Sequence, residues 1–269
     1  MPSFVPPVPS ASPEAVVAAL RSAGCVFAED EAELILSTAR TPGEAAAMVE
    51  RRAGGLPLEH VLGWARFRGL RVAVETGVFV PRRRTEFLVE QAVALARGAS
   101  VVVDLCCGSG AVGAALATAL ATGAGRPVLH AADIDPTAVR CARRNVAPLG
   151  GRVHEGDLYA ALPGALRGRV DVLTANVPYV PTGEVGLLPP EARDHEPLVA
   201  LDGGADGLDV LRRVAAGASP WLAPGGHLLV ETSERQVDRA LAAFTAGGLD
   251  ARAVTSDELY ATVVIGTKG

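Results

Sequence analysis

Four short stretches of the chain carry side chains whose type and spacing could do chemistry. The first is Asp104-Leu105-Cys106-Cys107-Gly108-Ser109-Gly110, where an apolar run, VVVDL, gives way to two glycines and an Ala-rich segment. A strand turning into a helix there lets the main chain approach a ligand closely, because glycine tolerates backbone conformations other residues resist. The second is Asp133-Ile134, at the end of the next apolar run. A carboxylate at such a strand end can accept both hydrogen bonds of a ribose diol. The third is Gly156-Asp157-Leu158, where an acid could accept from an adenine amino group and Leu158 could pack on the ring; a helix cap is the bland alternative for Asp157. Three acidic strand ends in succession behind a glycine loop favour an adenosyl cofactor. Gly108, Gly110 and Gly113 also satisfy G-x-G-x-x-G literally, a pattern too weak here to indicate a nicotinamide.

The fourth stretch, Asn176-Val177-Pro178-Tyr179, ends the following strand. It resembles the Asn-Pro-Pro-Tyr motif of amino methyltransferases, which alkylate a planar amide or amine nitrogen. An amide nitrogen is a poor nucleophile, and no side-chain base ionises it near neutrality, so positioning must do the work. The Asn176 side-chain carbonyl and the Val177 main-chain carbonyl can each accept one N–H. Pro178 holds Val177 extended, and Tyr179 would wall the acceptor pocket. The wider sequence, from about residue 30 to the end, is similar to the protein-(glutamine-N5) methyltransferases that modify the Gly-Gly-Gln loop of peptide chain release factors. GLPLEHVLGWARFRGLRVAVETGVFVPRRRTEFLVE, DLCCGSG, AADIDPTAVRCARRN, NVPYV, HEPLVALDGGADGLDVLRRV and APGGHLLVETSERQ follow that family's order.

The resemblance implies a class I S-adenosylmethionine-dependent methyltransferase, with S-adenosylhomocysteine as product and a release factor as protein substrate. It implies that Asn176, Val177, Pro178 and Tyr179 hold the glutamine amide. Asp104, Cys106, Cys107, Gly108, Ser109, Gly110, Asp133, Ile134, Asp157, Leu158 and Asn176 would hold the cofactor, and Pro81, Arg82 and Glu196 would flank the acceptor entrance. Two departures stand out. Val177 replaces the first proline, which adds a main-chain N–H, and PRRRTE (81–86) stands where the family has Pro-Arg-Pro-Glu-Thr-Glu. The alternatives are a nucleic-acid amino methyltransferase and a cofactor-binding paralogue with another protein target. A nicotinamide oxidoreductase is remote, because nothing supplies an acid or base for hydride transfer.

Composition narrows these classes. The 269 residues carry 25 cations, 30 anions and a formal charge of -5, which argues against binding that works by neutralising phosphates. Among the cations Lys268 is the lone lysine. Arg66, Arg68, Arg71, Arg82, Arg83 and Arg84 gather in one region; solvated strand faces are expected there ahead of a docking patch. His195 reads as a surface loop residue. The four cysteines form no C-x-x-C pair, adjacent Cys106 and Cys107 cannot complete a tetrahedral zinc site, and no metal is expected. Reduced thiols, the lack of an apolar run long enough to span a bilayer, and an N-terminus without a charged-then-apolar leader fit a cytoplasmic location, with prolines near the start suggesting a mobile tail.

The elements that must position these residues follow from periodicity. Residues 1–55 read as a small helical domain, with Ser12-Pro13 and Thr41-Pro42 as helix starts. Residues 56–84 mix β-formers with glycines and suit a hairpin linker. Residues 85–269 alternate helix and strand, with strands expected at 101–105, 127–134, 151–157, 169–177, 225–232, 249–254 and 261–266. The fold class is therefore α/β, a doubly wound, seven-stranded, mostly parallel, Rossmann-like sheet whose last two strands pair antiparallel.

Overall fold

The structure, a computed structural model, describes residues 12–96, 98–121 and 126–269; the expected N-terminal tail lies outside them. Three helices come first: α1 (Pro13–Ser22), α2 (Ala28–Thr38) and α3 (Pro42–Ala53). Their starts follow the capping chemistry. Ser12 Oγ accepts from the Ala15 amide at 3.3 Å and Thr41 Oγ1 from the Glu44 amide at 3.1 Å, with a proline in each first turn. Val16, Leu20, Ile35, Met48 and Val49 bury the shared face, joined by Val61 and Leu62 of the short α4 (Leu58–Leu62). At the edge of this bundle Arg52, 9% exposed, gives two hydrogen bonds to Glu31 (2.6 and 3.0 Å) and one to Glu191 (2.7 Å).

A hairpin follows, β1 (Trp64–Phe67) and β2 (Leu70–Ala73), turning through Arg68 and Gly69, both left-handed. After α5 (Glu86–Leu95) come β3 (Val101–Leu105), α6 (Ala111–Leu120), β4 (Val128–Asp133), α7 (Pro136–Val146), β5 (Arg152–Glu155) and β6 (Val170–Ala175). The chain finishes through α8 (Pro190–His195), α9 (Asp209–Ala218), β7 (Leu222–Thr232), α10 (Val237–Ala246), β8 (Asp250–Ser256) and β9 (Ala261–Thr267). The strand order is β5-β4-β3-β6-β7-β9-β8; β9 runs antiparallel to both β7 and β8, and the other pairs are parallel.

Strand alternation divides the core. Val103, Leu105, Leu173, Leu228 and Val230 face α9 and α10, where Leu211, Val214 and Phe244 meet them. Val102, Val172 and Leu229 face the other way, onto Leu88, Val89, Ala115 and Leu116 of α5 and α6. Each large side chain so buried contributes about 1.5–3 kcal/mol. With few aromatics available, small residues let the layers approach: Ala111, Ala114, Ala115 and Ala117 of α6 are all buried. The order reverses between β3, which leads outward to β4, and β6, which leads the other way, and a crevice at such a reversal is where open α/β sheets bind their ligands.

Some expectations shift at this level. β7 begins at Leu222, three residues before the expected start, and crosses Pro224-Gly225-Gly226 with a register shift against Val170/Val172. α4 and α8 were not expected; they are too short to nucleate alone and form on tertiary contacts.

Arg52→Ala should leave the Glu31 carboxylate buried without its partner and destabilise the protein by about 3–5 kcal/mol. Chemical denaturation of the full chain measures this; an unchanged midpoint would show that the pair carries no stability.

Candidate active site

The crevice is a cavity of about 430 Å³. On one side lies the loop after β3. Cys106, Gly108 and Gly110 adopt left-handed backbone (φ +52°, +53° and +77°), so the chain folds back on itself, closed by the Gly110 amide on the Cys107 carbonyl at 2.7 Å. Gly110 cannot carry a side chain: a Cβ there would lie 2.9 Å from Val146 and 3.2 Å from the Ala142 backbone. Asp104 sits beneath the loop, 1% exposed, taking the Gly113 amide at 2.9 Å and the Thr174 hydroxyl at 3.1 Å. Burial pushes its carboxyl up to about 7.

Asp133, at the tip of β4, accepts the Gly108 amide at 2.8 Å and the Asp135 amide at 3.0 Å, one on each oxygen. Burial raises its pKa as well, and Ile134 beside it is 53% exposed on the cavity wall. Burial raises both Cys106 and Cys107 above the ordinary thiol range, which works against thiolate formation. They serve as turn residues.

The opposite wall follows β6. Asn176 Nδ2 reaches the Thr85 hydroxyl oxygen at 3.4 Å, which leaves Oδ1 for another partner. Among the described residues, neither Asn176 Oδ1 nor the Val177 carbonyl oxygen receives a hydrogen bond from within the protein. The tetrapeptide is fixed from behind. Buried Gln236 donates to the Tyr179 carbonyl at 3.0 Å, and Gly203 packs so closely that a Cβ would lie 2.6 Å from the Pro178 carbonyl. Tyr179 donates to Glu231 at 3.2 Å; its hydroxyl is also bonded to Arg84, whose Nε reaches Glu231 at 3.0 Å. Burial raises the Tyr179 hydroxyl above its usual range, so it stays protonated.

Most residues singled out in the sequence meet in this cavity: Pro81, Arg82, Asp104, Cys106, Cys107, Gly108, Ser109, Asp133, Ile134, Asn176, Val177, Pro178 and Tyr179 line it. Gly110 lies just behind the wall. Glu196 is buried and acts on Arg82 (2.6 Å) and the Val80 amide (3.0 Å), holding the entrance segment. Asp157 and Leu158 are not on the cavity wall. Asp157 is exposed and pairs with Arg213 of α9 at 2.5 Å, while Leu158 packs toward the α9 and α10 side of the sheet. The arginine group divides: Arg82 and Arg84, each still partly exposed, pair with buried carboxylates, and Arg71 lies over Trp64 at 4.1 Å. His195 is half-buried on α8, near Gly55.

Four residues that position the site carried no role in the sequence reading. Thr85 and Gln236 are two. Glu231 is the third. The fourth, Asn145, donates to both Ala73 (2.9 Å) and Ser109 (2.8 Å) and accepts from the Ala73 amide (2.9 Å), joining the hairpin, α7 and the glycine loop. ARRN and ETSERQ were visible as conserved-order segments of the resemblance, yet nothing in their spacing points at these contacts.

Comparison with known proteins gives the chain's relatives. Residues 69–186 match the family model for the methyltransferase small domain. The release factor glutamine methyltransferase of Streptomyces coelicolor is 42% identical, the match spanning 70% of this chain and 67% of that protein. That of Geobacter sulfurreducens is 39% identical over 77% and 72%. A 4-amino-L-phenylalanine/4-methylamino-L-phenylalanine methyltransferase of Streptomyces pristinaespiralis is 38% identical over 74% and 69%.

The raised Asp104 pKa carries a pH signature. In the unfolded chain the group titrates near 3.8, and in the fold near 7. The folded state therefore holds the proton more tightly, so stability from this group is full below about pH 4 and is lost as pH rises through 7. Asp104→Asn should flatten the thermal midpoint between pH 4 and 7 relative to the unaltered chain. Parallel slopes in the two proteins would show that Asp104 titrates normally.

Proposed function

This chain belongs to the release factor glutamine methyltransferase family, and we propose that it transfers a methyl group from S-adenosylmethionine to the side-chain amide of a glutamine in a protein, the Gly-Gly-Gln loop of a peptide chain release factor being the best-supported acceptor. The observation that carries this reading is the pair of unengaged carbonyl oxygens, Asn176 Oδ1 and Val177 O, at the tip of β6 across one cavity from the glycine loop.

The residues present fit the cofactor. The cavity volume falls in the range of small-molecule sites. Each oxygen of Asp133 holds a single main-chain donor and retains a lone pair for a ribose hydroxyl. Ile134 offers an exposed apolar face for a base, and the tight Gly108–Gly110 turn keeps side chains out of the way. Bound there, S-adenosylmethionine supplies an electrophilic methyl carbon.

The chain's own part is positioning. An amide NH₂ has two hydrogens, and two fixed acceptors take both, which sets the plane and direction of the nitrogen. Thr85 holds the Asn176 amide so that its oxygen faces the acceptor. Pro178 and Gln236 keep the Val177–Tyr179 backbone from moving. No group here acts as a strong base: Tyr179 is protonated, and its proton is committed to Glu231. The nitrogen would gain the methyl carbon as the carbon–sulfur bond breaks, the neutral thioether leaving with the bonding pair, and would release one proton to water, aided by acceptors that draw on its N–H bonds.

A second reading, methylation of an amino group on a small aromatic acceptor, starts from a change in the acceptor wall: Arg84, over the Tyr179 ring at 5.4 Å, stands where the family pattern carries glutamate. An aromatic NH₂ presents the same two hydrogens, and the Streptomyces pristinaespiralis relative is named for such an acceptor.

Tritiated S-adenosylmethionine should label a release factor in the presence of the chain, with one methylene of added mass on the glutamine. Asn176→Ala should lower kcat/KM by about 10²-fold or more. Label on 4-amino-L-phenylalanine but not on the release factor would favour the second reading, and undiminished transfer by Asn176→Ala would overturn the positioning mechanism.

A further inference from the structure

A second cavity, about 530 Å³, lies on the far side of Tyr179. Arg84 and Tyr179 line both cavities and form the wall between them. The second is bounded by Glu231 and Glu234, by Asp257 on the β8–β9 turn, and by Tyr260, which is 90% exposed at the rim. Three carboxylates thus face one cation, Arg84. Glu231 is 2% exposed and lopsided in its bonding. Its Oε1 receives Arg84 and Tyr179, while Oε2 is buried without any partner. A buried carboxylate oxygen left without a donor is costly, and it calls for a partner that the protein's own groups do not supply here.

We propose that this second cavity is an acceptor subsite for a cationic nitrogen group, a guanidinium or an ammonium, carried close to the nitrogen that is methylated. Glu231 supplies a buried carboxylate with one oxygen still short of a donor, Glu234 and Asp257 supply the field, and the Tyr260 ring supplies an open π face of the kind cations prefer. Arg84 stays on Oε1 and screens the subsite from the methyl-transfer cavity. The inference rests on the methyltransferase reading for its acceptor, though the cation site itself does not require turnover. The cation could come from an arginine or lysine near the glutamine in a protein, or from the α-ammonium of a free amino acid. Both present the same charge to the same carboxylates.

The test has two transfer arms and one binding arm, all with the full chain. In the first, a single arginine is moved through the positions flanking the glutamine of a Gly-Gly-Gln peptide and compared with norleucine at each. In the second, 4-amino-L-phenylalanine is compared with its Nα-acetyl derivative. The cationic member of one series should have a KM lower by about tenfold with kcat little changed, as expected for contacts equal in ground and transition states. That ratio should fall toward one in Glu234→Gln/Asp257→Asn. The arm that responds identifies the source. In the binding arm, calorimetry follows agmatine titrated into protein saturated with S-adenosylhomocysteine, and affinity should drop about tenfold in the same double variant. Equal KM values within both series, or agmatine binding unaltered by the substitutions, would overturn the subsite. Absence of methyl transfer to every acceptor with agmatine binding intact would overturn the methyltransferase reading and leave the cation site standing.

Discussion

Everything in the site depends on an amide nitrogen's reluctance to react. With its lone pair delocalised, the nitrogen cannot be activated by any side chain at hand, so orientation must stand in for basicity. This makes rigidity at the tip of β6 the governing constraint. The side chain of Asn176 has a donor end and an acceptor end, and Thr85 takes the donor end. The backbone behind it is pinned by Gln236 and by the close approach of Gly203. The long connection after the tetrapeptide, through α8 and the glycine-rich turn before α9, is therefore part of the active site's frame. It does for the acceptor half what Asp104 and Asn145 do for the glycine loop.

Charge in this molecule is used at close quarters. Arginine provides nearly every cation, and the ones nearest the cavity face buried carboxylates: Arg82 meets Glu196, and Arg84 meets Glu231. Its planar fork can satisfy a buried carboxylate while stacking on a ring, as Arg82 does over Phe79 and Arg84 over Tyr179. Solvated strand faces, the natural expectation from a run of arginines, leave these pairings out. A charge run read along the chain cannot reveal carboxylates contributed from more than a hundred residues away.

The sequence made legible what repeats along it. The continuous apolar run VVVDL marked the first parallel strand, Ser12-Pro13 and Thr41-Pro42 marked helix starts, and residue types at the strand ends marked most of what lines the cavity. Residues whose role arises where distant segments touch stayed silent. Thr85 and Asn176 are 91 residues apart, Asn145 and Ala73 are 72 apart, and Tyr179 and Gln236 are 57 apart. Asp157 shows the converse case. Its place at the end of β5 matched the pattern, but Arg213 on α9 claims its carboxylate, and local pattern holds no information about that competitor. The short helices α4 and α8 escaped for a related reason, since their stability comes from neighbours rather than from their own residues.

Asn145 has one amide and three obligations. Its side chain is the knot that ties the β2 end of the hairpin at Ala73 to the carbonyl of Ser109 in the glycine loop. The leading helical bundle is connected to the sheet through that same hairpin, so sliding the bundle past α7 must stretch or snap one of those bonds. Loss of the Asn145 side chain would therefore loosen two joins at once, the hairpin's hold on α7 and the hold of α7 on the glycine loop.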